Sequence, residues 1–127
     1  MLKFCHSCKS LTLANFTNMR TLNVTNYDSM FYDCTSLVSI KFSNLNTKNV
    51  KSMLAMFHSC YSLYSLDFSN LDLRNVENML KFCHSCNSLT LANFTNMRAL
   101  NITNYGGMFE NCYYLASIEL PNFKTKI

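Results

Sequence analysis

The apolar positions of this chain follow a pattern that recurs along its length. In the clearest copy, Leu37, Ile40 and Phe42 form the pattern L-x-x-I-x-F, and the last two alternate with polar residues. Such alternation is typical of a half-buried β-strand. The pattern returns in four more stretches, two of them with Ala in the middle position: Leu11, Ala14 and Phe16; Leu63, Leu66 and Phe68; Leu89, Ala92 and Phe94; Leu115, Ile118 and Leu120. It therefore predicts one short strand in each stretch.

Two further apolar groups lie between the predicted strands. Val50 and, three residues later, Met53 indicate a short extended segment that turns a corner. Met56 and Phe57 follow within the sequence S-M-L-A-M-F-H-S, whose residues favour helix moderately. We therefore predict one helical turn, α or 3₁₀, in each repeat.

A cysteine precedes each predicted strand in the motif Cys-x-x-Leu. Each cysteine lies 26 residues after the one before it (34 minus 8), and the five are Cys8, Cys34, Cys60, Cys86 and Cys112. A fixed period in the twenties is the signature of a solenoid, in which each unit buries its apolar side against its neighbours. We number the repeats 1 to 5 by these cysteines. The sequence predicts a single α/β solenoid domain over 1–127, with about five coils and one short parallel strand in each.

The sequence begins and ends in the middle of a repeat. Residues 1–8 read MLKFCHSC, and residues 79–86 read the same. Repeats 1 and 4 are close copies, which a duplication of 78 residues (86 minus 8) explains. Solenoids need polar caps, and neither end resembles one. We therefore expect a domain uncapped at both ends, either part of a longer array or open to other copies.

Asparagine recurs at two positions of the repeat. The first column holds Asn18, Asn44, Asn70, Asn96 and Asn122, and the second holds Asn23, Asn49, Asn75 and Asn101. A polar residue that returns at one position is expected to form a ladder of amides, which bond backbone groups left unpaired at turns. We interpret both columns, with the five cysteines, as structural ladders, and we expect the second column to be buried.

The combined pattern C-x-x-L-x-x-I-x-F-x-N-x-x-T-x-N-V-x-x-M-x-x-M-F-x-x-C resembles the leucine-rich repeats of BspA-like surface proteins, known as the bacterial surface protein 26-residue repeat. Residues 30–37 (MFYDCTSL), followed by Ile40, Phe42, Asn44 and Val50, carry the match. The resemblance implies a right-handed, horseshoe-like or gently twisted stack. It also implies an extracellular or cell-surface location, a role in adhesion or matrix binding, and no catalysis. Residues 1–5 do not read as a signal peptide.

The strongest candidate for metal or redox chemistry is the Cys-His-Ser-Cys motif, which occurs at 5–8 and again at 83–86. Two such pairs commonly build a zinc site. Three repeats separate the two motifs, however, and strands about 4.8 Å apart would hold them about 14 Å from each other. Cys5 and Cys83 also take the position that Phe31 has in repeat 2, which marks a core position. We therefore favour buried free thiols and predict no metal and no cofactor.

No set of residues predicts an enzyme. The histidines His6, His58 and His84 share one position of the repeat, so they are expected to form a surface column rather than part of a catalytic triad. The net charge of +4 is scattered, which argues against nucleic acid as a partner. No apolar run approaches the length that spans a membrane, which argues against membrane insertion.

Residues that point outward from the predicted strands are the candidate binding surface. The charged candidates are Lys41, Asp67 and Glu119, flanked on one side by Tyr61, Tyr64, Tyr113 and Tyr114. Tyrosines on a rigid sheet are good interface anchors, although they also commonly cover the edge of a core. Asn15 and Asn93 begin outward-facing Asn-Phe-Thr sequons that are possible glycosylation sites, whereas the sequons at Asn23 and Asn101 are discounted because we expect them to be buried.

Two functions of different classes follow. The first is an adhesive module of a surface protein that binds a protein or glycan through the exposed side of the sheet. The second is a structural subunit that associates with other copies of itself, end to end, because open strand edges favour such association. Sedimentation of the isolated chain separates the two.

Overall fold

The computed structural model describes residues 4–17, 23–43, 45–95 and 101–119. Five β-strands lie in this part of the chain, each three residues long. They are β1 (Leu13–Asn15), β2 (Ser39–Lys41), β3 (Ser65–Asp67), β4 (Leu91–Asn93) and β5 (Ser117–Glu119). Each contains the middle apolar position of the L-x-x-I-x-F pattern. The prediction of one short strand per repeat is confirmed.

The strands pair in parallel with their counterparts in the adjacent repeat. β1 pairs with β2 in one sheet, and β3, β4 and β5 follow in order in a second sheet. In the first pairing Ala14 lies opposite Ile40, so equivalent residues of the two repeats are in register. Repeats 2 and 3 are joined just before their strands, where the N–H of Tyr64 donates to the carbonyl of Val38 at 3.0 Å. The chain therefore forms two parallel sheets connected at this point.

The helical turns predicted for each repeat are wrong for the described residues, where consecutive hydrogen-bonded turns occur instead. Residues 54–59 are all in turns. The N–H of His58 donates to the carbonyl of Ala55 at 3.2 Å, but the N–H of Phe57 donates to the carbonyl of Phe82 in the next repeat at 2.8 Å. The φ of Ala55 is +50°, which a helix excludes. Alternate N–H groups thus leave their own turn and bond to the neighbouring repeat.

Phenylalanine, methionine and leucine side chains form the core. Phe68 is fully buried, with ring centroids 5.2 Å from Phe42, 5.4 Å from Phe82 and 5.6 Å from Phe94. Ring contacts of this kind contribute roughly 0.5–1.5 kcal/mol beyond the burial of area. Burial is most complete in repeats 2 to 4, and it declines to β5, whose Ile118 is exposed.

Repeat 4 fills the core with a different pair of side chains from repeat 3. Met56 and Phe57 precede the cysteine of repeat 3, whereas Phe82 and Cys83 take these positions in repeat 4. All four are fully buried. The ring centroid of Phe82 lies 5.3 Å from that of Phe57, so the two repeats keep an aromatic contact. In repeat 4 the ring comes from the position that Met56 has in repeat 3, one residue before that of Phe57. Phe82 is slightly larger than Met56 and Cys83 is much smaller than Phe57, so the pair in repeat 4 has the smaller total volume.

Candidate functional site

The cysteine column forms a ladder of thiol hydrogen bonds. The thiol of Cys34 donates to the carbonyl of Cys5 at 2.8 Å, and that of Cys60 donates to the carbonyl of Phe31 at 3.1 Å. The same contact recurs in the later repeats, from Cys86 to Phe57 and from Cys112 to Cys83, each at 3.1 Å. All seven cysteines are free thiols. The column lies inside the molecule, except at its ends, where Cys8 and Cys112 are partly exposed.

Burial suppresses the reactivity of four of these thiols. It raises the pKa of Cys34 to about 11 and the pKa of Cys112 to about 12. It also raises the pKa of Cys60 and Cys83, well above the ordinary value for a thiol. The thiolate is both the nucleophile and the metal ligand, so these groups are poorly suited to either role. Within the described residues, no three His, Cys, Asp or Glu side chains converge as metal ligands would.

The histidines and one tyrosine stack in a column beside the cysteines. The ring centroids of His6 and Tyr32 are 5.1 Å apart, those of Tyr32 and His58 are 4.7 Å apart, and those of His58 and His84 are 4.6 Å apart. The last two rings are parallel within 3°. Beyond them, Nε2 of His84 lies 3.6 Å from a carboxylate oxygen of Glu110. We call His6, Tyr32, His58 and His84 the ring column.

Each histidine of the ring column is oriented by the serine that follows it. The distances between Nδ1 and the serine hydroxyl are 2.9 Å for His6 and 2.8 Å for both His58 and His84. Burial lowers the pKa of His58, and the nearby His84 and Lys81 lower it further, against a smaller opposing effect of Asp33. The neutral imidazole is therefore the form of His58 that the folded chain favours.

The second asparagine column lies at an exposed corner of the repeat, contrary to the expected burial. Asn75 donates through Nδ2 to the carbonyl of Lys48 at 2.6 Å, and Asn101 donates in the same way to Arg74 at 3.0 Å. Each amide thus bonds to the preceding repeat while its residue stays exposed, because the accepting carbonyl lies at the surface. The other two members, Asn23 and Asn49, are exposed as well.

Little of the first asparagine column falls in the described part of the chain. Asn70 is exposed in the turn that follows β3. The other four members, Asn18, Asn44, Asn96 and Asn122, lie outside the described residues. The ladder predicted for this column stays a prediction.

The first and third residues of each strand form one continuous surface, which we call the outward sheet face. Its members are Leu13, Asn15, Ser39, Lys41, Ser65, Asp67, Leu91, Asn93, Ser117 and Glu119. The middle residue of each strand points the other way and is buried in β1 to β4. The structure thus places the charged candidates Lys41, Asp67 and Glu119 on one exposed face, at the same position of β2, β3 and β5.

The candidate tyrosines are all exposed. Tyr61 and Tyr64 of repeat 3 have 44% and 59% of their surface accessible, and Tyr113 and Tyr114 of repeat 5 have 73% and 71%. Tyr64 comes immediately before β3, next to the outward sheet face. The hydroxyl of Tyr113 donates to the side-chain oxygen of Asn111 at 3.2 Å. The tyrosines therefore present their rings to solvent at one flank of the face.

The two outward sequons have their asparagines in tight local turns. The side-chain oxygen of Asn93 accepts both the N–H of Thr95 at 3.0 Å and its hydroxyl at 2.9 Å. The side-chain oxygen of Asn15 accepts the N–H of Thr17 at 3.0 Å. Asn15 is exposed and Asn93 is partly buried.

Sequence reasoning missed Asp28, which bonds repeat 2 to repeat 3. One of its carboxylate oxygens accepts the hydroxyl of Ser52 and, at 2.7 Å, the N–H of Leu54. The equivalent positions in the next two repeats are the apolar Leu54 and Leu80. A single charged residue in a column of leucines was the available signal. Asp28 serves the contact between repeats rather than the outward sheet face.

Short parallel strands in register, a buried cysteine ladder and an exposed outward face define the class of this molecule as a β-rich repeat protein. The family model described as "Mycoplasma protein of unknown function, DUF285" matches residues 1–123, so the chain belongs to that family. No curated protein matches the chain, and no solved structure matches it. The resemblance to BspA-like repeats is not confirmed by this match. The described residues contain no helix long and apolar enough to cross a membrane.

Proposed function

We propose that the five repeats form a right-handed, leucine-rich-repeat-like solenoid of the BspA-like type. Backbone bonds from each repeat to the next support this arrangement at several places around the unit, including the strands and the turns before the cysteine. A third line of contacts runs through the isolated parallel bridges that join Asn26, Ser52, Asn78 and Asn104. Three separate lines of contact between equivalent residues are what stacked coils require.

The proposed function is that of a non-catalytic module at the cell surface or outside the cell, which binds a protein or glycan through the outward sheet face. The observation that carries it is the contrast between the two sides of the strands. The inner residue of each strand is apolar (Ala, Ile or Leu), while the third residue, on the outer side, is Asn, Lys, Asp, Asn and Glu in the successive repeats. A varied face on a regular scaffold suits recognition.

A binding assay on defined surfaces tests this function. The chain is coupled to fluorescent beads and applied to immobilised fibronectin and to a printed array of glycans, and the retained beads are counted. We expect retention on at least one surface. Replacement of Tyr61 and Tyr64 by Ser is expected to reduce it about tenfold or more, because exposed aromatic anchors dominate such interfaces.

Tyr105 provides the matched control for that assay. It is also an exposed tyrosine, with 65% of its surface accessible, but it precedes the turns of repeat 5 and lies away from the outward sheet face. Tyr105→Ser should leave retention unchanged. Equal loss in the control and in the double variant, or no retention on any surface by the unaltered chain, would count against the proposed function.

The alternative function is end-to-end association into a filament. The observation that favours it is the poor burial of repeat 5, where all three residues of β5 are exposed. Among the described residues β5 pairs only with β4, and an unpaired strand edge is a template for another strand. Replacement of Ile118 in β5 by Lys should then abolish large assemblies in sedimentation velocity. Assemblies that persist in this variant would reject the alternative.

A further inference from the structure

Four apolar side chains are exposed in or next to the strands of repeats 1 to 4. Leu13 and Leu91 lie on the outward sheet face, with 54% and 36% of their surface accessible. Val38 and Tyr64, one position before β2 and β3, are 47% and 59% accessible. The registers of β1 with β2 and of β3 with β4, together with the bond from Tyr64 to Val38, place these residues in consecutive repeats. Leu13 lies opposite Ser39 and Leu91 lies opposite Ser65, so the two leucines stand at the outer strands of a face that spans β1 to β4.

The positions of these four side chains are symmetric about the junction between repeats 2 and 3. If the order of repeats 1 to 4 is reversed about this junction, Leu91 takes the place of Leu13 and Tyr64 takes the place of Val38. Both exchanges keep an apolar side chain at the same position of the repeat.

The charges follow the same symmetry. Lys41 is the last residue of β2 and Asp67 is the last residue of β3. The same reversal puts each in the place of the other, so a positive charge is matched with a negative one. Asn15 and Asn93, which end β1 and β4, are exchanged as two neutral amides. Neither Lys41 nor Asp67 forms an ion pair with another described residue. A surface whose reversal matches apolar with apolar and positive with negative is self-complementary.

We propose that the outward sheet face binds a second copy of this chain, face to face. The two-fold axis runs parallel to the strands between β2 and β3, so that β2 faces the second copy's β3 and β1 faces its β4. Lys41 of each copy then lies opposite Asp67 of the other, on both sides of the axis. This pairing rests on the proposed function, since it uses the same face, and it names a second copy as the partner.

The geometry also sets the strength of this contact. Four strands about 4.8 Å apart give a face only about 15 to 20 Å wide, which is small beside a stable interface of about 1,600 Å². The single pairing is therefore weak, in the range of transient contacts. Because a two-fold contact uses the same patch on both copies, the association stops at the dimer, unlike a filament. Many copies on one surface would strengthen it through avidity.

Sedimentation equilibrium over a wide range of concentrations tests the pairing with charge reversals. The unaltered chain should show a monomer–dimer equilibrium that weakens with added salt. Lys41→Asp should weaken dimerisation about tenfold or more, because two attractive contacts become repulsive. Asp67→Lys should do the same, and the two reversals together should restore dimerisation. Lys48→Asp is the matched control, since Lys48 is an exposed lysine outside the face, and it should leave dimerisation unchanged.

Several results would overturn the pairing. The first is a chain that stays monomeric up to about millimolar concentration, the upper range of weak contacts. The second is an equal effect of the Lys41 and Lys48 reversals on dimerisation, and the third is a double reversal that does not restore the dimer. Oligomers larger than dimers that ignore Lys41→Asp would indicate end-to-end association instead. Retention on fibronectin or glycans that survives these reversals would keep the proposed function while self-pairing fails, so the two are tested separately.

Discussion

At the scale of single residues, cysteine serves this fold as a small buried side chain that donates one weak hydrogen bond. The carbonyl of Phe31 accepts the N–H of Cys34 within its own repeat at 3.2 Å and the thiol of Cys60 from the next repeat at 3.1 Å. A carbonyl has two lone pairs, so both bonds are accommodated. The column thus links consecutive repeats without any need for metal or disulfide.

The identical Cys-His-Ser-Cys motifs provide a test of how burial controls these thiols. Cys5 is partly exposed, whereas Cys83 is fully buried and its pKa is raised well above the usual value. We predict that iodoacetamide at pH 8 modifies Cys5 and Cys8 in the native chain, and Cys83 only after unfolding. Peptide mass spectrometry distinguishes the two sites, because Lys9 follows the first motif and Asn87 follows the second. Equal rates at both sites in the native chain would contradict the prediction.

The exchange of side chains between repeats 3 and 4 predicts a strong coupling between neighbours. Cys83→Phe alone adds a ring beside the buried Phe82 and should destabilise the chain by roughly 1–3 kcal/mol through overpacking. Adding Phe82→Met recreates the Met-Phe pair of repeat 3 and should recover most of that loss. Urea unfolding of the two single variants and the double variant measures the coupling energy. Additive effects of the two changes would show that the positions do not share one space.

At the scale of elements, the turns before each cysteine depend on residues with positive φ. Ser29, Ala55, Lys81 and Gly107 occupy the same position with φ of 55°, 50°, 53° and 61°. Only the last is glycine, the residue that adopts this conformation without a steric penalty. The other three hold it because the N–H groups of the turn are bonded to the next repeat.

Lys81→Gly is therefore expected to stabilise the fold. Lys81 is exposed, so little packing is lost, and relief of the left-handed conformation should raise the free energy of unfolding by about 0.5–1 kcal/mol. Lys51→Gly is the matched control, since Lys51 is an exposed lysine without a positive φ, and it should lower the stability. Thermal and urea unfolding give both values. A loss of stability in both variants would show that the turn is not strained at Lys81.

His58 of the ring column makes the stability of the fold depend on pH. The pKa of His58 is lowered in the folded chain, mainly by burial and then by His84 and Lys81, with Asp33 opposing. The unfolded chain therefore binds a proton more readily than the folded chain. The contribution of neutral His58 to the free energy of unfolding is fully present above about pH 6.5, the ordinary pKa of histidine. This contribution is lost as the pH falls from there through the lowered pKa of the folded chain.

His58→Tyr should weaken this dependence, because Tyr32 already occupies the same position in repeat 2 and stacks there. The measurement is urea unfolding at pH 7.5 and pH 5. The difference between the two pH values should be smaller in the variant than in the unaltered chain. His6→Tyr, at the exposed end of the column, serves as the control and should change the difference less. An unchanged pH difference in His58→Tyr would remove His58 as its source.

Sequence patterns predicted the strands because their signal is local and repeated. The pattern of Leu37, Ile40 and Phe42 predicts which side chains in and next to β2 point inward, and all three are buried. The turns were mispredicted because Ala55 is a helix-favouring residue, while the bond that decides its conformation comes from a repeat 25 residues away. The exposure of Asn75 was missed for a related reason, since an amide ladder needs an accepting carbonyl, and that carbonyl lies at the surface.

The candidate surface was accessible to sequence reasoning only in part. The period identified Lys41 and Asp67 as outward residues, and the structure exposes both. Asp28 stands where the next two repeats have Leu, so periodicity marks it as an exception but does not identify its bonds to repeat 3. A repeat pattern predicts what all copies share, and it says least about contacts that one copy makes alone.

At the scale of the whole molecule, burial decreases from the middle repeats to the last one. Phe68 has ring contacts with phenylalanines of both neighbouring repeats, whereas among the described residues the ring of Phe16 contacts those of Phe31 and Phe42, both of repeat 2. In repeat proteins the stability is roughly a sum of terms for each unit and each contact between neighbours. A substitution in a middle repeat therefore weakens the contacts with two neighbouring repeats, and a substitution in repeat 1 weakens the contact with repeat 2.

This gradient predicts different effects for the same substitution at two positions. Phe68→Ala should destabilise the chain by about 3–5 kcal/mol, as expected for a fully buried ring with close neighbours on all sides, and Phe16→Ala should do so by clearly less. Hydrogen exchange measured by mass spectrometry provides the second readout. Phe16→Ala should speed exchange in repeat 1 alone, whereas Phe68→Ala should speed it from repeat 2 to repeat 4. Equal losses of stability, or global exchange in both variants, would mean that the repeats unfold as one unit and that no gradient exists, since local opening requires regions of lower stability.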